Sequence, residues 1–93
     1  MLKIDIWPEA QVFLQALTAK HGKQVVSKIA TLAENPNPPL SKLLTGYTHL
    51  RRLRSGDYRI IYFVDGNVLK VPLIDKRNDN KIYKMIEQKF RQM

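Results

Sequence analysis

The chain of 93 residues contains no cysteine, which excludes disulfide bonds, thiolate nucleophiles and zinc-thiolate sites. It also lacks a long apolar run. Lys3 and Asp5 interrupt the N-terminal stretch that a signal peptide would need to be continuous, and no later segment approaches the roughly 20 residues of a membrane span. Together these absences predict a cytoplasmic protein without membrane association.

Acidic residues are few: eight Asp and Glu stand against sixteen Lys and Arg, a formal net charge of +8. The carboxylates are dispersed, and neither a glycine-rich phosphate loop nor a metal-ligand cluster is recognisable. We therefore expect no metal and no cofactor. Twelve of the sixteen basic residues lie from Lys42 onward, so the positive field belongs to a folded half of the chain and predicts an anionic partner, nucleic acid or an acidic protein.

The first half of the chain predicts a strand followed by a helical hairpin. Apolar and polar residues alternate at positions 2–6, the period of a half-buried strand. Apolar residues then recur at helical spacing from Pro8 to Lys20, a turn is predicted at His21-Gly22, and a second helix follows. The proline-rich segment 34–39 ends that helix and connects it to the second half.

The second half predicts three antiparallel strands. Two-residue loops at Ser55-Gly56 and Asp65-Gly66 place Leu53 opposite Tyr58 and Tyr62 opposite Leu69, with one consistently apolar face. Pro72 must then lie at an edge, at a non-bonded pair or at a bulge.

A last helix is predicted after the strands, capped by Asn78 or Asp79, with Ile82, Ile86 and Phe90 on one buried stripe. The predicted architecture is a single α+β domain over residues 1–93. It consists of a small antiparallel sheet with an N-terminal helical hairpin and a C-terminal helix, in the order βααβββα.

The predicted register places Arg52 directly opposite Arg59 on the other face of the sheet, with Arg54 and Asp57 one pair nearer the turn. Like charges at opposed positions destabilise a sheet by tenths of a kcal/mol up to about 1 kcal/mol, unless an anion bridges them. Arginine grips phosphate oxygens in a planar fork and can stabilise the extra charge of a pentacovalent transition state. The pair therefore predicts a phosphate site; alternatively, Asp57 neutralises one arginine and solvent screens the other.

A second candidate group lies around the start of the last helix. Arg77 and Tyr83 bracket the helix N-terminus, which adds donors and a positive dipole end. Tyr83 flanks the buried stripe, where its ring can stack on a base or simply pack. His21 and His49 are interpreted as structural, His21 in the helical turn and His49 on the parity of the buried strand face.

These residues resemble a known signature. The segment Leu50–Tyr62, LRRLRSGDYRIIY, followed by an apolar strand and by KRNDNKIY at 76–83, is similar to the RelE/ParE toxin superfamily over nearly the whole chain. The opening strand, the helical hairpin and the Lys42-Leu43 segment resemble that family in order and length. The Gly-Asp-Tyr-Arg motif at 56–59 marks the superfamily without separating its activities.

The resemblance implies a toxin of a type II toxin–antitoxin system. RelE-like members are endoribonucleases that inhibit translation: they cleave messenger RNA in the ribosomal A site, without metal, by attack of the 2′-hydroxyl on the adjacent phosphate. The six-residue step from Arg77 to Tyr83 resembles the ribosome-dependent branch. By position the family's catalytic residues fall on Arg52, Arg59, Arg77 and Tyr83, and RNA or phosphate binding falls on Arg51, Arg54, Lys76, Lys81 and Lys84.

One departure concerns the general base. Where some relatives have lysines on the second strand, this chain has arginines, and an arginine stays protonated and makes a poor base. The role stays open between Tyr83, a lysine such as Lys76, and an arginine that acts only electrostatically.

The resemblance also implies partners: messenger RNA in the ribosomal A site, and a cognate acidic antitoxin whose partly disordered segment covers the basic face. The free toxin is expected to be monomeric and to form a hetero-oligomer with the antitoxin. Two other functions fit the same signature, namely a ParE-like inhibitor of DNA gyrase and a non-catalytic relative that binds only RNA or an antitoxin.

Overall fold

A computed structural model describes residues 1–76 and 79–90. Its elements are β1 (Lys3–Ile6), α1 (Pro8–Ala16), α2 (Ala19–Glu34), β2 (Lys42–Leu43), β3 (Arg51–Ser55), β4 (Tyr58–Asp65), β5 (Val68–Asp75) and α3 (Asp79–Phe90). The predicted α+β class is confirmed, and the element order differs from the prediction by the short strand β2. Within the described residues, no helix has both the length and the apolar character needed to cross a membrane.

The strands form one sheet in the order β1-β5-β4-β3-β2. The pairs β2–β3, β3–β4 and β4–β5 are antiparallel, whereas β1 pairs in parallel with β5. The short strands β1 and β2 are therefore the two edges, and β4 lies in the middle of the sheet between β5 and β3.

The helical hairpin breaks earlier than predicted. α1 ends at Ala16 and α2 begins at Ala19, because the Thr18 side chain caps α2 by accepting a hydrogen bond from the His21 amide at 3.4 Å. Gly22 consequently lies inside α2. Thr18 is therefore the residue in the sequence that marks the start of α2. The prediction of a turn at His21-Gly22 is wrong.

The β3–β4 turn consists of Gly56 and Asp57, one residue later than the predicted loop. Gly56 has φ +60° and no other residue type in the described chain has positive φ, so glycine is the first central residue, the pattern of a type II′ turn. Leu53 therefore pairs with Ile60 and not with Tyr58. Because the partner moves by two residues, every side chain of these two strands keeps its predicted face.

The β4–β5 turn repeats this pattern with Gly66, at φ +62°, and Asn67. Leu69 pairs with Val64 and not with Tyr62. The predicted loop at Asp65-Gly66 placed the glycine second, so this register is also wrong by two residues.

Pro72 lies on an inner strand, at a bulge. One residue of β4, Tyr62, faces two residues of β5, Val71 and Pro72, between the paired segments on either side. A bulge accommodates the missing amide hydrogen of proline, and it reverses the side-chain direction after it. Leu73 therefore packs on the face opposite to the predicted one.

Both faces of the sheet carry an apolar layer. On the face covered by α1 and α2, called here the α1–α2 face, the buried residues are Ala10, Val25, Ile29, Leu32, Ala33, Leu53, Ile60, Tyr62, Leu69, Val71 and Ile74. On the other, the α3 face, the layer is smaller and consists of Leu44, Leu50, Ile61, Phe63, Leu73, Ile82 and Ile86. The predicted stripe of α3 is confirmed, with Phe90 and Met85 packed against this second layer.

The end of α3 is held at the opposite end of the sheet from the β3–β4 turn. The Phe90 ring lies 5.9 Å from the Trp7 ring and 6.2 Å from the Phe63 ring. Lys89 also pairs with Glu9 of α1.

Candidate active site

Two rows of side chains cross the α3 face near the β3–β4 turn. In the first row, Arg54 of β3 faces Arg59 of β4, and Arg59 faces Asp75 of β5. In the second row, one step further from the turn, the paired residues run from β2 to β5 as Lys42, Arg52, Ile61 and Leu73. The sheet thus brings four basic residues to one face.

Two arginines do face each other across β3 and β4, but one of them is not the predicted residue. Arg54, not Arg52, is directly opposite Arg59, because the turn lies one residue later than predicted. Arg52 is the diagonal neighbour of Arg59, still within reach of long side chains. The prediction that these arginines share one face is confirmed, and the prediction of their exact pairing is wrong.

A cavity of about 290 Å³ lies at the turn end of the first row. Its lining consists of Arg54, Gly56, Asp57, Arg59 and Lys76. Three cationic side chains and one carboxylate therefore surround this space, and Lys76 lies beside the arginines.

Asp75 is the carboxylate directly opposite Arg59. It is 8% exposed, and its Oδ1 accepts a hydrogen bond from the Lys76 amide at 2.7 Å. Opposite charges across a strand pair stabilise each other, and Asp75 is the residue paired with Arg59. Asp57, predicted as the carboxylate that could neutralise one of the arginines, lies in the turn and lines the cavity.

The second row carries a basic pair, Lys42 and Arg52, that the sequence pattern does not predict. Arg52 is half-buried, with its Nε atom buried, and Lys42 opposite it is exposed. Lys42 had been noted only as part of a Lys-Leu segment. A two-residue strand has no periodicity, so its pairing with β3 has no signal in the sequence.

Tyr83 is half-buried, and its ring packs against the α3-face layer. Its hydroxyl oxygen accepts a hydrogen bond from the Thr45 amide at 2.9 Å, which ties α3 to the loop that follows β2. The hydroxyl hydrogen stays available for donation. Packing of the Tyr83 ring is one of the two roles predicted for this residue. Its hydroxyl lies beside edge strand β2.

Three other predicted site residues are not members of either row. Arg51 alternates with Arg52 along β3, and its Nε and Nη2 atoms donate to the Ser41 hydroxyl at 3.3 and 3.0 Å. Lys81 and Lys84 are exposed on α3. Arg77 lies outside the described residues.

The two histidines occupy separate surroundings. The His21 ring lies beside Tyr58, with 3.3 Å between Nδ1 and the tyrosine hydroxyl. His49 precedes β3 and is exposed with its ring edge on Phe63, so its predicted place on a buried strand face is wrong. In the part of the chain that the structure describes, no three His, Asp or Glu side chains are grouped so that they could hold a metal ion.

The sequence matches one family model, described as "ParE toxin of type II toxin-antitoxin system, parDE", over residues 5–81. No curated protein sequence matches the chain.

Several solved toxin structures share the fold. RelE in the archaeal RelE–RelB complex of Pyrococcus horikoshii is 27% identical, with a TM-score of 0.73 over 84% of this chain and 97% of that chain. The isolated E. coli RelE toxin is 22% identical, with a TM-score of 0.71 over 96% and 98%. YoeB from Staphylococcus aureus, in a dimer structure, is 20% identical, with a TM-score of 0.68 over 83% and 98%. Because the family model spans most of the chain and the fold agrees with these structures, the protein belongs to the RelE/ParE superfamily of toxins from type II toxin–antitoxin systems.

Proposed function

We propose that this toxin is an endoribonuclease that cleaves messenger RNA on the ribosome and thereby inhibits translation. The observation that carries the proposal is the grouping of Arg52, Arg54 and Arg59 on one face of the sheet. Opposed like charges oppose folding, and a phosphodiester bound between them removes that repulsion. The similarity to RelE and YoeB toxins supports the same assignment.

The proposed reaction is attack of the RNA 2′-hydroxyl on the adjacent phosphorus. The bond from phosphorus to the 5′-oxygen breaks, leaving a 2′,3′-cyclic phosphate and a 5′-hydroxyl. Arg52 and Arg59, with Arg54 beside them, hold the phosphate, and their positive charge stabilises the transition state without a metal. Arg77 steadies the leaving oxygen.

The attacking hydroxyl must give its proton to a base, and the leaving oxygen must receive one. We assign these proton transfers to Tyr83 and Lys76. The Tyr83 ring can also stack on a base. Many arrangements of a flexible message are unreactive, so we propose that the ribosome holds the message in the geometry for attack and leaves the toxin mainly an electrostatic task.

The proposed protein partner is an acidic antitoxin. RelE of Pyrococcus horikoshii and of E. coli occur in complexes with RelB, and the net charge of +8 favours a segment rich in carboxylates. We propose that such a segment covers the basic rows in a hetero-oligomer and that the free toxin is a monomer. Arg51, Lys81 and Lys84 then contribute to the long-range field that attracts RNA and antitoxin.

Inducible expression of the wild type beside Arg59→Ala, Arg77→Ala and Tyr83→Ala tests the nuclease, with growth followed and message ends mapped by primer extension. We expect growth arrest and cuts within translated codons for the wild type, and neither for the variants. Lys3→Ala is the control, because it removes one positive charge from exposed edge strand β1; it should cut like the wild type.

A second candidate function is inhibition of DNA gyrase, favoured by the match to the ParE model. A gyrase inhibitor of this family has the same fold and does not need Arg77 and Tyr83 as nuclease residues. Growth arrest without message cuts, together with loss of supercoiling activity of purified gyrase, would establish it. Absence of arrest would favour a protein that only binds.

A further inference from the structure

Lys42 and Arg52 repeat, one row further along the sheet, the relation between Arg54 and Arg59. Both pairs join two cationic side chains directly across neighbouring strands, and both lie on the α3 face. Opposed side chains have Cβ atoms about 4.5–5.5 Å apart, so each pair can grip one phosphate from two sides. The sheet therefore presents two adjacent sites for anions.

The separation of the two sites follows from strand geometry. Arg52 and Arg54 are two residues apart on β3, hence on the same face and about 6.8 Å apart along the strand. Successive phosphates of an extended single-stranded nucleic acid are separated by a comparable distance. The two sites are thus spaced to bind neighbouring phosphates of one strand.

We propose that the toxin binds two successive phosphates of its RNA, one between Arg54 and Arg59 and the next between Lys42 and Arg52, with the RNA backbone running along β3. Lys42 thereby becomes a phosphate-binding residue. The choice of RNA rests on the proposed function, whereas the two-phosphate spacing rests on the register of the sheet.

The far end of each row confines the backbone to this path. In the first row Asp75 lies beyond Arg59 and repels a phosphate. In the second row Ile61 and Leu73 are buried under α3, so the phosphate stays on the side of β2 and β3. Thr45, which donates to the Tyr83 hydroxyl, follows Lys42 by three residues, so the RNA leaves the second site beside Tyr83.

Thymidine oligonucleotides with one, two and three phosphodiesters test this arrangement. They lack the 2′-hydroxyl and so stay uncleaved, and their affinity for the purified toxin can be measured by NMR titration at low salt. We expect the affinity of the wild type to rise about tenfold when the second phosphodiester is added, because one charge-assisted hydrogen bond contributes roughly that factor. The third phosphodiester should add little. In Lys42→Ala the step at the second phosphodiester should vanish, in Lys42→Arg it should return, and in Lys3→Ala it should persist.

A steady gain at every added phosphodiester, in the wild type and Lys42→Ala alike, would overturn the proposal, because it would mean that Lys42 contributes only to the general field. The result is independent of catalysis. If affinity rises at the second phosphodiester but no message is cleaved, the nuclease proposal is refuted and the two-phosphate site stands. If messages are cleaved but affinity does not rise at that point, the two-phosphate site is refuted and the nuclease proposal stands.

Discussion

The two faces of the sheet differ in how completely helices cover them. α1 and α2 cover a continuous apolar layer on one face, from Leu53 on β3 to Val71 on β5. On the other face the single helix α3 covers a smaller layer, and the rows that contain Arg54 and Lys42 extend beyond it to exposed ends. The first face supplies most of the core, and the second leaves part of the sheet free to carry charge.

If the proposed function is right, this difference separates the residues that stabilise the sheet from those that bind RNA. Opposed arginines cost up to about 1 kcal/mol per pair, a noticeable share of the roughly 5–15 kcal/mol by which proteins of this kind are stable. A deep layer on the α1–α2 face can offset that cost. Substitutions on the two faces should therefore differ in what they change.

The largest expected effects on stability come from the adjacent core residues Ile60, on the α1–α2 face, and Ile61, on the α3 face, both 0% exposed. Truncation of either to Ala should lower the free energy of unfolding by about 2–5 kcal/mol. We expect Ile60→Ala to cost more, because α3 can settle into the space that Ile61→Ala leaves. Urea denaturation measures both, with Ile60→Val and Ile61→Val as milder controls; a larger loss for Ile61→Ala would contradict the comparison.

Two tyrosine hydroxyls offer a matched pair of smaller changes. Tyr62 donates to the Pro36 carbonyl at 2.7 Å on the α1–α2 side, and Tyr83 accepts from the Thr45 amide at 2.9 Å on the α3 side. Tyr62→Phe and Tyr83→Phe should each cost about 0.5–1.5 kcal/mol, measured by thermal unfolding. Only Tyr83→Phe should also slow message cleavage, and equal cleavage by both variants would remove the Tyr83 hydroxyl from the reaction.

A stabilising change is expected on the α1–α2 side at Gly22. A Cβ there would meet nothing closer than the Leu14 carbonyl oxygen at 3.9 Å, and glycine inside a helix costs about 0.5–1 kcal/mol relative to alanine. Gly22→Ala should therefore raise the unfolding free energy by that amount with unchanged cleavage. A loss of stability would show that α2 needs the glycine for packing.

The smallest expected change in stability is a gain that is accompanied by a loss of cleavage. Arg54→Gln removes one charge of the opposed pair and should raise stability by tenths of a kcal/mol, at most about 1 kcal/mol, while cleavage falls. Inorganic phosphate should raise the melting temperature of the wild type more than that of Arg54→Gln. If phosphate stabilises both equally, the cavity at the first row does not bind it.

Except for β2 and the position of the break between α1 and α2, the sequence predicts the elements, and up to the bulge at Pro72 it predicts the strand faces, because both depend on hydrophobic period, which survives a wrong register. It does not predict the register of β3 and β4, because that register depends on whether Gly56 is the first or the second residue of the turn. Nor does it predict the direction of Leu73, which follows from the bulge at Pro72.

For the site, the shared face of Arg52, Arg54 and Arg59 is predictable from alternation along two strands. Lys42 is not, because its pairing with Arg52 joins residues ten positions apart through a strand too short to have a pattern. Alternation along the strands therefore identifies the three arginines that share a face, but it assigns Arg52 and Arg54 to the wrong rows and misses Lys42.

The proposed function assigns RNA cleavage to a site built on Arg52, Arg54 and Arg59, and single-turnover cleavage of a message on programmed ribosomes measures that activity. We expect Arg59→Ala to slow cleavage by about 10²–10³-fold, the loss expected when one donor to transition-state charge is removed, and Lys3→Ala to cleave at the wild-type rate. A wild type that leaves the message intact, or an Arg59→Ala variant that cleaves as fast as the wild type, would contradict this assignment.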